Sequence, residues 1–94
     1  MDTQLLLTGL KTDLNIRSQA YDQRLIDRLD EAQNALSDIG IVLEDTVQDR
    51  DLVIMYAGWL WRSRVDGSPM PPMLRQARNN RLFGQKMRTG GDSS

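Results

Sequence analysis

Between Thr46 and Arg64 the chain reads TVQDRDLVIMYAGWLWRSR, a stretch whose helical wheel has almost no polar side. With Leu52 as the origin, Tyr56 and Trp59 fall within about 40° of it, Val53 and Leu60 near 90°, and Ile54 and Trp61 near 190°. Only a notch at about 240° to 280°, lined by Asp51, Gly58 and Arg62, is small or polar. A helix that is apolar nearly all round has to be buried nearly all round. A chain of 94 residues has little material for that, because a domain of this size buries only about 60 to 65% of its unfolded surface. Trp59 and Trp61, two of only five aromatic residues, point about 200° apart and cannot share one core.

The remaining elements have to supply the cover. Thr3 to about Leu14 places Leu6, Leu7, Leu10 and Leu14 on one face, with Gly9 as a weak point, and predicts a short helix. After the interruption at NIRS, Ser18 is the expected N-cap of a second helix running from Ala20 to Ile39, with Asp22 near its positive end. Its apolar positions, Tyr21, Leu25, Leu29, Ala32, Leu36 and Ile39, follow steps of four, four, three, four and three. Asp27, Arg28, Asp30 and Glu31 are expected on the solvated side. Gly40 is a natural stop. The link IVLEDT should tuck Ile41 and Leu43 inward, and Asp45 or Thr46 should cap the third helix. VDGSPMPP breaks the chain, and Pro71 or Pro72 opens a fourth helix to about Lys86. That helix is expected to carry Met73, Leu74, Ala77, Leu82 and Phe83 on one side. The expected organisation is one helical domain over 1–88 and a disordered tail over 89–94; there is no internal repeat and no sustained heptad. The fold class is all-α, a small bundle of about four helices with a hydrophobic third helix.

Composition narrows the chemistry. The absence of cysteine and histidine removes disulfides, thiolate and imidazole metal sites, and the Ser-His and Cys-His nucleophile arrangements. The carboxylates Asp27, Asp30 and Glu31 lie beside Arg24 and Arg28 at helical spacing, as solvated ion pairs do, and no glycine spacing matches a phosphate loop. The expectation is therefore no enzyme, no metal and no cofactor. The start of the chain lacks the basic flank and cleavage site of a signal peptide. Its longest apolar run, Leu52 to Trp61, is about half of what spans a bilayer, so no membrane partner and a cytosolic site of synthesis are expected.

Charge is distributed unevenly. Residues 1–50 hold ten acids and five bases, residues 51–94 three acids and seven bases. Arg75, Arg78, Arg81, Lys86 and Arg88 form the one basic cluster, which suits the acidic surface of a partner subunit, the phosphates of a nucleic acid, or solvent alone. Trp61 with Ile54 forms an apolar patch that the chain would struggle to cover, and such patches mark interfaces. Ile54, Trp61, Arg75, Arg78 and Arg81 are accordingly the candidate residues for subunit or partner contacts.

The order of these features resembles the small head-tail connector proteins of tailed bacteriophages. LKTDLNIRSQAYDQRLIDRLDEAQNALSDIGI is similar to their N-terminal half, with Leu14-Asn15-Ile16 matching a Leu-x-Ile step and Asp22, Leu25, Ile26, Leu29 and Ala32 matching the long second helix. Leu52 to Arg64, with Tyr56 and Trp59, resembles their hydrophobic helix, and SPMPPMLRQARNNRL their terminal one. The likeness covers roughly residues 3 to 83; only about eight residues join the third and fourth helices, where members of the family often carry a longer loop or hairpin. The resemblance implies a structural virion protein at the head-tail interface, present in the host cytoplasm during assembly. It further implies a homo-oligomeric ring of roughly twelve copies beneath the portal protein, a tail completion or stopper protein on the opposite rim, and DNA passing through the channel without sequence-specific binding. The competing expectation is a small nucleic-acid-binding module that uses the basic fourth helix.

Overall fold

A computed structural model of the chain describes residues 1–93, with side chains described as far as Arg88. Four helices follow in order: α1 (Thr3–Leu14), α2 (Asp22–Asp38), α3 (Val47–Asp66) and α4 (Pro72–Ser93), with no strand among the described residues. The protein is all-α. The helix ends follow local chemistry. The Asp2 carboxylate accepts from the N–H groups of Gln4 and Leu5 and caps α1, while the Thr46 hydroxyl accepts from the Asp49 N–H and caps α3. Asn15 closes α1 in the left-handed conformation, φ 57°, with Ile16 N–H reaching back to Lys11 O and Asn15 N–H to Thr12 O. Gly40 closes α2 in the same way, at φ 102°, through Ile41 to Leu36 and Gly40 to Ser37.

α3 is the central element. α1, α2 and α4 all pack against it, and α1 also packs against α2. Leu6, Leu7 and Leu10 from α1, Leu25, Leu29, Ala32 and Leu36 from α2, and Leu52, Val53 and Ala57 from α3 form the core, joined by Ile41 of the link and Leu74 of α4. Each fully buried leucine contributes about 1.5 to 3 kcal/mol relative to exposure. Gly9 is where α1 and α3 approach most closely: a methyl group placed there would fall 2.6 Å from Ile54 Cδ1. The glycine that weakens α1 as a helix thus admits the side chain of α3.

Several expectations require correction. Ser18 does not cap α2; its hydroxyl accepts from Ala20 N–H, and α2 starts later, at Asp22, without a side-chain cap. Tyr21 and Ile39, assigned to the apolar face of α2, emerge exposed at its two ends. Arg28, assigned to the solvated face, is buried, because it lies beside Leu25 and Leu29 and reaches along the α2–α3 seam toward Glu31. On α4, Met73 and Phe83 are exposed while Leu74 is buried; one residue of helix advances 100°, so the pairs Met73–Leu74 and Leu82–Phe83 straddle the edge of the packed face. α3 runs on to Asp66 and stops at Gly67, φ 67°. α4, expected to end near Lys86, continues to Ser93; the disordered tail expected over 89–94 falls on residues whose side chains, and at Ser94 the backbone, lie outside the described residues.

Candidate functional site

Two tryptophans on opposite sides of α3 find different neighbours. Trp59 faces the start of α4: its indole N–H donates to Ser68 O at 3.1 Å, and its ring meets Tyr56 edge to face, centroids 5.5 Å apart. Trp61 faces the start of α2, where Tyr21 meets it edge to face at 5.8 Å and 74°. Neither ring is fully buried. The flanking helices therefore cover two opposite faces of α3 only in part.

Around Trp61 lies an open groove of about 360 Å³. Its apolar wall is Tyr21, Trp61 and Val65; its rim is Arg24, Arg28 and Arg64, with Asp27 as the one acid. Arg28 Nη2 meets Glu31 Oε1 at 2.7 Å and Arg64 Nη2 approaches the same oxygen at 3.3 Å. Glu31 thus holds two of the three guanidiniums together. Arg28 is nine-tenths buried, and its Nε has no hydrogen-bond acceptor among the described residues. Arg24 is exposed, with no ion pair among them. An unmet buried donor is uncommon in a settled structure, so the cluster holds more cationic donors than the chain itself satisfies.

The residues singled out from sequence are not gathered into one surface. Ile54 and Trp61 lie two turns apart on α3, both half-buried. Ile54 packs on Gly9 and lines a separate depression with Met55, Gly58 and Trp59. Arg75 is exposed and Arg78 half-buried on α4, the former within 3.5 Å of Met70 O and the latter 3.2 Å from Asn79 Oδ1. Arg81 is turned inward. Its Nε and Nη2 grip Asp49 Oδ1 and Oδ2 at 2.7 and 3.1 Å, and Nη2 also donates to Val42 O at 2.7 Å.

That buried pair is the centre of a polar latch. Asp49 Oδ2 accepts from Glu44 N–H at 2.8 Å; Gln85 donates to Gly40 O at 2.7 Å and accepts from Val42 N–H at 2.9 Å. Burial by itself would raise the Asp49 carboxyl, but the hydrogen bonds from Arg81 and the Glu44 N–H, with the charge of Arg81, outweigh it and hold the group below its ordinary 3.8. The hydrogen bond to Asp49 likewise raises Arg81, against the effect of burial. A signal for this pair exists in the sequence: Asp49 falls on the Leu52–Val53 side of α3, and Arg81 between Leu74 and Ala77 on α4. Two opposite charges, each set inside an apolar arc, point to each other.

No protein family matches this chain, and no curated protein or solved structure does. Among the described residues, no helix is long and apolar enough to cross a membrane. What the geometry offers is a surface for binding: an aromatic groove rimmed by guanidiniums, at the end where α2 begins and α3 ends.

Proposed function

We propose that this chain is a structural, non-catalytic virion protein: a head-tail connector that assembles into a ring between the portal and the tail of a tailed bacteriophage, binds the portal on one rim and a tail completion protein on the other, and lets DNA pass. The sequence resemblance over residues 3 to 83 supplies the family, and the succession of four helices with a hydrophobic third agrees with it. The observation that carries the associating role is the Tyr21–Trp61 pair, an aromatic surface left half-open by its own chain beneath three arginines. Exposed aromatic and arginine side chains are the types that anchor protein interfaces. The basic-helix alternative loses one of its cations, since Arg81 is engaged by Asp49 and Val42.

The test is the solution mass of the purified protein by light scattering over a range of concentration and salt. A discrete oligomer of many subunits is expected, together with weak affinity for free duplex DNA, because a conduit must let DNA slide. A chain that stays monomeric throughout and binds duplex with a steep salt dependence would replace the connector by the nucleic-acid module.

A further inference from the structure

The groove has a counterpart at the other end of the same helix pair. α2 and α3 run antiparallel, joined by the link, so the groove and the link lie at opposite ends of a rod of about 25 Å, the length of a helix of 17 residues. At the groove end, Val65 is 89% exposed and Tyr21 43%; at the link end, Val42 is 66%, Val47 65% and Ile39 43% exposed. These are large apolar side chains that the chain leaves uncovered. Charge distinguishes the two ends. Arg24, Arg28 and Arg64 outnumber Asp27 of the groove lining and Glu31, which pairs with two of them, whereas residues 38–47 carry Asp38, Glu44 and Asp45 and no base. Asp45 meets Arg50 of its own chain at 2.9 Å; Asp38 and Glu44 have no ion pair among the described residues. Glu44 shares a polar cleft beside the link with Arg81 and Arg88 of α4, and Arg81 is already engaged by Asp49, which leaves Asp38 as the acid of this end farthest from a cation of its own chain in sequence.

We infer that copies of this chain join head to tail, the aliphatic and acidic link of one copy seated in the aromatic and arginine-rimmed groove of the next; the inference rests on the ring reading and specifies its contact. A symmetric pairing of groove with groove would set six arginines against one another, and link with link would oppose carboxylates, so like surfaces repel while unlike ones attract. Each copy holds one of each surface, about 25 Å apart. One chain therefore cannot satisfy both within itself; a two-fold pair uses both only if two rods lie antiparallel along their whole length, whereas end-to-end seating leaves a free groove and a free link for the next copy. A heterologous contact of this kind propagates from copy to copy and closes into a ring when the rotation per copy divides the circle. Val42 suits the task because the link backbone is already held from inside while its own side chain stays outward.

The chain has no cysteine, so introduced thiols report the contact cleanly. Val65→Cys, Val42→Cys and the double variant, all at exposed positions, would be treated with a short bismaleimide and resolved on denaturing gels, with circular dichroism confirming that each remains helical. The double variant is expected to give a ladder of dimers, trimers and higher species, and each single variant to stay at monomer size. A dominant covalent dimer from Val65→Cys alone would mean that groove meets groove, and a double variant that stops at the dimer would mean a reciprocal two-fold pair; either would overturn the inference. So would a discrete oligomer in light scattering with no ladder from the double variant, an outcome that leaves the ring reading standing and moves the contact elsewhere. A chain monomeric at every concentration would remove the ring reading and this contact with it. Charge exchange provides a second arm. Arg24→Glu with Arg64→Glu, and separately Asp38→Lys with Glu44→Lys, are each expected to weaken assembly at least tenfold, and an equimolar mixture to recover it through alternating copies. A mixture that recovers nothing, from partners that are each folded, would count against the contact.

Discussion

The packing of α1, α2 and α3 and the docking of α4 rest on different physics. The first three helices share ten buried apolar side chains and fit together closely enough that Ile54 Cδ1 occupies the space a side chain at Gly9 would enter. α4 contributes a single fully buried apolar residue, Leu74, and is fixed instead by Arg81 and Gln85, which reach Asp49 and the backbone of the link. Apolar burial is non-directional and supplies most of the stability; a bidentate guanidinium pair adds little net stability but defines a position. α1 to α3 are thus held together chiefly by area, and α4 is held in register by a few directional bonds.

The strongest way to break that contrast is Asp49→Ala. It leaves the Arg81 guanidinium buried without its carboxylate and takes away the acceptor of Glu44 N–H, and removing one partner of a buried pair costs about 3 to 5 kcal/mol. Amide exchange should accelerate most over residues 74–88 and the link, with α1 to α3 less affected; uniform acceleration would show that α4 and the core unfold as one. Leu29→Ala, at a fully buried position, should cost about 2 to 5 kcal/mol by chemical denaturation and lower protection throughout the molecule. An effect confined to α2 would contradict the single core.

Acid titration sharpens the same contrast. The Asp49 carboxyl is held below 3.8 when folded, so its contribution is complete above about pH 4 and is lost as the pH falls through the folded value. With no histidine in the chain, melting temperature should vary little between pH 5 and 8. The gap between the wild type and Asp49→Asn should then close in acid, as measured by thermal melts from pH 7 to 2.5; a gap that widened in acid would reverse the assigned sign. The smallest expected effect concerns the tight approach of α1 and α3. In an Ile54→Val background, Gly9→Ala should stabilise by up to about 1 kcal/mol, the helix preference of alanine over glycine; with Ile54 in place the gain should vanish or change sign, read as a double-mutant cycle.

What could be read from sequence follows the same division. The period of Leu25, Leu29, Ala32 and Leu36 marks the packed face of α2, and the pairs Asp45-Thr46 and Pro71-Pro72 bracket the starts of α3 and α4, because burial and capping leave a local pattern. Arg28 and Arg81 were assigned outward on residue type, which says nothing of a partner 32 residues away at Asp49 or of a guanidinium lying along the helix seam. The groove leaves no local pattern in the sequence for a similar reason. Trp61 was singled out, but Tyr21, Arg24, Arg28, Arg64 and Val65 belong to two helices whose ends meet only once the chain has turned back on itself. Ile54 was grouped with Trp61 on angle alone, yet a rise of seven residues, about 10 Å, gives each a different neighbour.

The link between α2 and α3 is anchored by Ile41 in the core, and the stretch around it is held by its main chain. Gly40 O, Val42 N–H, Val42 O and Glu44 N–H are the groups that Gln85, Arg81 and Asp49 bind, and every residue except proline offers an N–H and a carbonyl. Side chains at 42 and 44 can therefore drift under mutation while the loop keeps its shape. The molecule carries a stretch in which selection for a fitting partner and selection for a stable fold act on different atoms, and descendants of this chain could change what they bind there without first relearning how to fold.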